Sequence, residues 1–539
     1  MLTTLDWVVI GLYFVIVFAG AVWATRRERS DRETSTDYFL AGRNTGWFVI
    51  GASLFSSNIG SEHLVGLAGT GAASGVAVAQ FEILAAFVLL LLGYVFTPFY
   101  LRSGVFTMPE FLERRYSPAA RWYLAVISIV GYVLTKISVT IFAGGVVFET
   151  VMGIDFWTGA LIVVVATGIY TVLGGLMAVL VTDMLQMFVL IAGAVAVLFF
   201  GLEAVGGWGT LREVAGPAFW DMWRPASDPD FPWTGILFGA PILGIWYWCT
   251  DQFIVQRVLA ARNLTEARRG TQFAGFLKLL PLFIFVIPGV IAYALVQQGR
   301  LELAAPDQAL PALVRSLLPV GMRGLVVAGL LAALMSSLSS VFNSTSTLVT
   351  WDVYKKLHPG ASEQRLVWVG RISTGVLVLF GLAWIPLMQL VSGTLYTYIQ
   401  SVQAYIAPPI AAVFLLGLLW RRLNAAGAMA CLLTGFVLGM ARLVAEINKG
   451  SLDGWLFAYA DVNFLHFAAL LFVACSIVLA AVSLATAPPP REKVEGLTFG
   501  TATGEAAVEA GIDGSTRRGD WALTGLLVLC VAAIWLYFS

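Results

Sequence analysis

Apolar runs of about 20 residues recur along the whole chain with short polar punctuation between them, the length an α-helix needs to cross a bilayer. Fourteen such spans are predicted, at 6–25, 46–73, 76–101, 121–150, 156–176, 178–204, 234–257, 272–297, 321–354, 366–390, 395–420, 425–447, 463–486 and 521–538. The pattern is that of an all-α polytopic membrane protein. The first span begins at Asp6 and lacks a small-residue cleavage site, so it is expected to be retained. Two stretches do not fit a span. Residues 204–233 carry Gly206, Gly207, Pro217, Pro225, Pro229 and Pro232 and read as an external loop. Residues 487–520 open on Pro488, Pro489 and Pro490 and continue rich in Gly, Ala, Glu and Thr, as a poorly ordered cytoplasmic linker would.

Composition agrees with the pattern. Of 539 residues, 59% are hydrophobic and 12% charged, against about 25% charged in a soluble domain. A formal net charge of zero argues against nucleic acid as a partner. Cys249, Cys431, Cys475 and Cys530 show neither metal nor disulfide spacing. Arginines and lysines collect in the loops after odd-numbered spans: Arg26 to Arg43, then Arg102, Arg114, Arg115 and Arg121, then Arg257 to Arg269, Lys355 to Arg371, Arg421 and Arg422, and Arg491 to Arg518. The opposite loops hold only Arg212, Arg224, Arg300, Arg315, Arg323 and Lys449. Positive charge marks the cytoplasmic side, so both termini are expected outside the cytoplasm.

A membrane helix satisfies its own backbone, and interruptions are tolerated only where they line a cavity. Span two reads Gly51-Ala-Ser-Leu-Phe-Ser-Ser-Asn-Ile-Gly60-Ser-Glu-His63, and span seven reads Gly239-Ala-Pro-Ile-Leu-Gly244-Ile-Trp-Tyr-Trp-Cys-Thr-Asp251. They lie five spans apart. That is the spacing of an inverted repeat of two five-helix units, with both broken helices at its binding site. Small residues that merely let helices pack closely are the plainer explanation of either span alone.

Ionisable residues inside spans are costly and usually functional. Glu82 stands in span three, Lys136 in span four, Asp183 near the start of span six and Lys278 in span eight. Snorkelling towards a span end is the competing account for Asp183 and Lys278. Glu82 and Lys278 together are neutral, which suits an uncharged, hydroxyl-rich ligand. In span nine, Ser336, Ser337, Ser339 and Ser340 crowd five positions, and the i, i+3, i+4 spacing makes Ser336, Ser337 and Ser340 a hydroxyl stripe. A membrane serine often just bonds its own helix, but oxygen is what hard cations prefer. Enzyme signals are absent. Gly69-Thr-Gly71-Ala-Ala-Ser-Gly75 lacks the strand and spacing of a nucleotide loop and reads as the turn between spans two and three. The histidines His63, His358 and His466 are too scattered for a metal site.

At these residues the chain resembles the sodium/glucose cotransporter family, within the solute:sodium symporter group, from about Tyr38 to Ala487. The resemblance is carried by 50–75 (IGASLFSSNIGSEHLVGLAGTGAASG), Met108-Pro109-Glu110, 170–186 (YTVLGGLMAVLVTDMLQ), 246–257 (WYWCTDQFIVQR), 276–281, 331–347 (LAALMSSLSSVFNSTST) and 398–416 (YIQSVQAYIAPPIAAVFLL). It implies a LeuT-type core with alternating access. It also implies a sodium site of the carbonyls of Ser56, Ile59 and Ala333 with the hydroxyls of Ser336 and Ser337. The implied sugar pocket comprises Asn58, His63, Phe81, Glu82, Trp248, Lys278 and Gln400, with Tyr247 stacking as inner gate. A hydroxyl at Ser339 resembles the two-sodium members, with Ser57, Asp183 and Ser340 completing the second site; Asp183 as a helix cap is the alternative. Three positions depart from the family: Gly244 where sugar carriers offer Asn or Thr, Thr397 for an acid or amide, and Ser56 for Ala.

The expected organisation is an extra span and cytoplasmic loop at 1–45, the transport core at 46–420, further spans at 421–487, the linker at 488–520 and a last span at 521–539. The expected function is sodium-coupled symport of a neutral hexose in the plasma (inner) membrane. A myo-inositol or other polyol symporter and a sugar-gated cation conductor are the alternatives. The expected partners are the sugar, Na+ and the lipid bilayer, with no nucleic acid, and the unit is a monomer or an oligomer the sequence does not specify.

Overall fold

In the computed structural model the described residues are 2–28, 34–60, 62–303, 305–389, 395–501 and 518–539; they are helical and contain no strand beyond a single bridge between Thr45 and Ala261. Ten of their helices are long and apolar enough to cross a membrane. The expected spans 46–73, 121–150, 156–176 and 234–257 are not among them as unbroken segments. Each is interrupted or short, for a reason that can be read in its residues.

Span two runs helical over Trp47–Asn58, is extended at Ile59 (φ −74°, ψ 96°) and resumes with a π-helical turn at Glu62–Leu67. Span seven runs over Ala240–Gly244 and a π-helical turn Ile245–Thr250, is extended at Asp251 (φ −79°, ψ 125°) and resumes at Gln252–Leu259. Both breaks adjoin a π-helical turn, after the break in span two and before it in span seven. Span four joins Pro118–Gly131 to Ser138–Val147 through a π-helical turn, Tyr132–Ile137, that carries Lys136. Spans five and six are divided at Gly175, whose φ of +55° only glycine adopts cheaply; a Cβ there would also sit 2.4 Å from the carbonyl oxygen of Tyr38. Gly75 (φ +81°) makes the turn into span three, just after the helical Ala68–Ser74.

Span nine is the axis of the core, with every residue from Val326 to Leu348 buried. It packs along span six and against span two, and span one covers the outside of six and nine. Small residues permit these approaches: a Cβ on Gly193 of span six would lie 3.2 Å from the Val326 backbone. Asp6 of span one accepts from the N–H groups of Gly321 at 2.7 Å and Gly324 at 3.0 Å, a carboxylate at the N-terminus of span nine. Val15, Leu379, Phe380, Val437, Leu470 and Leu529 are exposed on the outer helices, an apolar surface suited to lipid.

Two expectations need correction. Arg115, Arg121 and Arg257, counted above as loop charges, are buried. Arg115 donates to the carbonyls of Gly417, Leu423 and Trp420 at the end of span eleven, at 3.0–3.2 Å. Arg121 pairs with Asp352 and Glu113, both at 2.6 Å. The first part of the linker is ordered rather than loose: Lys493 donates to the Glu113 carbonyl at 2.8 Å, and Phe499 meets Phe99 edge-on at 4.7 Å. Residues 502–517 of it lie outside the described residues.

Candidate functional site

The break of span two and the segment ahead of the break in span seven line a cavity of about 600 Å³ of open space, with Asn58, His63, Phe81, Glu82, Gly244, Tyr247, Trp248, Lys278 and Gln403 among its walls. Each wall has a different chemistry. Lys278 donates to both Asn58 Oδ1 and Glu82 Oε2. His63 Nε2 lies 3.2 Å from Glu82 Oε1, and its Nδ1 is buried with no hydrogen-bond partner among the described residues. Asn58 Nδ2 donates to the Tyr247 hydroxyl at 3.0 Å. The Lys278 ammonium stands 5.4 Å from the Trp248 ring centre. Phe81 packs against Phe231 of the long loop at 6.0 Å and Phe464 of span thirteen at 6.4 Å. The result is a neutral pocket with polar edges and aromatic faces. Gln400 lies on the helix Leu395–Leu419, but its side chain and that of Thr397 lie outside the described residues.

Beside this cavity the freed backbone of span two meets span nine. Ser337 Oγ lies 3.0 Å from the carbonyl oxygen of Ser57 and 3.4 Å from that of Ile59. A Cβ on Gly60 would stand 2.8 Å from the same hydroxyl, so glycine leaves the space open. Unwound carbonyls with a hydroxyl opposite suit a hard cation such as sodium. Ala333 is buried one turn earlier on span nine.

Asp183 is fully buried inside its helix and caps nothing. It accepts from Ser53 at 2.5 Å, Ser57 at 2.8 Å and Ser336 at 2.6 Å, and Arg257 Nη2 lies 3.6 Å away. The carboxylate therefore has a guanidinium partner. Ser56 Oγ donates to the Asp183 carbonyl at 2.7 Å, so the departure from Ala ties span two to span six. Ser340 donates to Ser57 Oγ at 3.1 Å, whereas Ser339 donates to the Ser336 carbonyl within its own helix at 3.0 Å.

Lys136, for which the sequence names no partner, reaches Asp251 Oδ2 at 2.7 Å. Its ammonium also stands 4.7 Å from the Tyr247 ring centre and 4.0 Å from that of Phe253. Asp251 accepts from Phe253 N at 3.1 Å and from the Tyr132 hydroxyl, so it caps the helix that restarts after the break. Tyr100 donates to the carbonyl of Cys249 at 2.7 Å. Sequence reasoning missed Ser53, Asp251, Arg257 and Gln403 as site residues. Arg257 gave a signal, a charge at the end of a broken span, but was assigned to the loop.

A family model described as "Sodium:solute symporter family" matches residues 38–435. The zebrafish (Danio rerio) sodium/glucose cotransporter 4 is 41% identical, covering 92% of this chain and 81% of its own. The rabbit (Oryctolagus cuniculus) sodium/glucose cotransporter 1 is 40% identical, covering 89% and 79%. The dog (Canis lupus familiaris) sodium/myo-inositol cotransporter is 39% identical, covering 93% and 76%. Among solved structures, a Na+-coupled sialic acid symporter in a substrate-bound, outward-open state superposes with a TM-score of 0.78 at 22% identity, over 90% of this chain and 99% of that one. That likeness shows the fold, the LeuT-type inverted repeat of two five-helix units. Family match, relatives and fold agree, and the chain belongs to the sodium/glucose cotransporter family of sodium:solute symporters, with sodium as its coupling ion.

Proposed function

We propose that the protein carries a neutral hexose into the cell, coupled to inward sodium flow, by alternating access through fourteen spans with both termini outside the cytoplasm of the plasma (inner) membrane. The observation that carries this reading is the cavity between the broken spans two and seven. Glu82 and Lys278 cancel there, so the pocket offers charge-assisted hydrogen bonds without demanding a charged solute. Tyr247, Trp248 and Phe81 supply apolar faces for the C–H surface of a ring. One sodium is assigned to Ser337 with the carbonyls of Ser56, Ile59 and Ala333 and the hydroxyl of Ser336. A second is assigned to Asp183 with Ser57, Ser339 and Ser340, sharing its carboxylate with Arg257.

Myo-inositol is the second reading, favoured by the dog relative and by Gly244, which offers no side chain where hexose carriers offer an amide or hydroxyl. Sodium-dependent uptake of labelled glucose, galactose and myo-inositol by reconstituted protein separates them. Hexose uptake that myo-inositol inhibits only weakly supports the first reading; preferential myo-inositol uptake replaces it with the second. Sugar-evoked cation current without net sugar entry would turn both into the conductor.

A further inference from the structure

At the arginine-rich end of the molecule, a second cavity of about 1050 Å³ of open space is lined by Arg421, Arg422, Pro488, Pro489, Arg491 and Glu495, among others. It lies between the ends of spans eleven and thirteen and the ordered first part of the linker. Nothing in the transport site uses it. Three guanidinium groups face one carboxylate. Arg491 meets Glu495 at 3.3 Å with both side chains exposed, a pair that holds weakly in water. Arg422 is anchored by Nη2 on the carbonyls of Leu484 at 3.3 Å and Thr486 at 2.8 Å, while its Nη1 is buried without a hydrogen-bond partner among the described residues. Arg421 is exposed.

The setting identifies the ligand. Leu419, Trp420 and Leu484 are exposed beside these arginines, so the charged cavity begins where the apolar, lipid-suited surface ends. Tryptophan favours that interfacial level, and guanidinium forks match phosphate oxygens bidentately. We propose that this cavity binds the phosphate headgroup of an anionic glycerophospholipid, whose acyl chains lie along the face of Leu419, Trp420 and Leu484. The bound lipid fastens the linker to spans eleven and thirteen.

The full chain, purified and stripped of lipid in neutral detergent, is titrated with dioctanoyl phosphatidylglycerol and with dioctanoyl phosphatidylcholine, counting bound lipid by native mass spectrometry. The wild type binds the phosphatidylglycerol more tightly. Arg421→Gln with Arg491→Gln spares the anchoring Arg422 and weakens that binding about twenty-five-fold, from roughly fivefold per arginine near anionic lipid, leaving phosphatidylcholine unaffected. Glu495→Gln, which keeps every arginine, tightens phosphatidylglycerol binding. No preference between the two lipids, or equal phosphatidylglycerol affinity in wild type and double variant, overturns the proposal. So does weaker or unchanged binding in Glu495→Gln. Inorganic phosphate that displaces the lipid at equal concentration would make this a free-phosphate site and overturn it as well.

Discussion

Ser337 contributes its hydroxyl where span two has given up its helix, facing the carbonyls of Ser57 and Ile59. Removing one such oxygen costs about 1 kcal/mol or more, so Ser337→Ala raises the half-saturating sodium concentration about fivefold; unchanged sodium dependence removes Ser337 from the site. Under the proposed function Glu82 has two tasks, to face the solute and to neutralise Lys278, and the contact with Lys278 is the one the structure shows. Glu82→Ala therefore strands a buried ammonium and costs about 3–5 kcal/mol. Glu82→Gln isolates the binding role: it and Gln400→Ala raise the sugar KM while leaving the half-saturating sodium concentration near wild type. Wild-type sugar affinity in both contradicts the pocket. Gly244→Asn alone meets Val88, whose Cγ2 stands 3.0 Å from the added Cβ; paired with Val88→Ala, it should raise hexose affinity. Glu82, Lys278 and the serine stripe were legible because a charge amid apolar residues and an i, i+3, i+4 spacing are visible without coordinates. Gln403 was not, since packing decides which face of an apolar helix turns inward.

The broken helices were legible as elements because two clusters of glycine, serine and proline stand at mid-span five spans apart, a pairing that close helix packing alone does not require. What closes the second break was not. Lys136 and Asp251 are 115 residues apart and meet only because the π-helical turn of span four sets its lysine against span seven. Breaking a buried pair by removing one partner costs about 3–5 kcal/mol, whereas removing both charges is far milder. Lys136→Met therefore lowers the thermal unfolding temperature of the purified protein, and adding Asp251→Asn restores most of the loss. A single variant that melts with the wild type contradicts the buried pair. Arg115, Arg121 and Arg257 stand beside loops in sequence but satisfy helix ends and carboxylates in the interior.

At the scale of the whole molecule, sodium crosses the bilayer with its charge while the solute contributes none. Each sodium entering at 100 mV supplies about 2.3 kcal/mol, enough for roughly fiftyfold accumulation before any sodium concentration gradient is added. The proposed second sodium would sit at Asp183, which already holds a guanidinium and three hydroxyls. Reversal potentials of sugar-coupled current should give two sodium ions per sugar in the wild type and fewer in Ser339→Ala. A ratio of one, unaltered by that substitution, leaves Asp183 as the structural partner of Arg257. The central claim is tested most directly by loading proteoliposomes of the purified protein with labelled hexose at the outside concentration and then imposing an inward sodium gradient. The account predicts that internal hexose rises several-fold above the outside level and falls back when a sodium ionophore collapses the gradient; hexose that stays level while sodium flows in would contradict it.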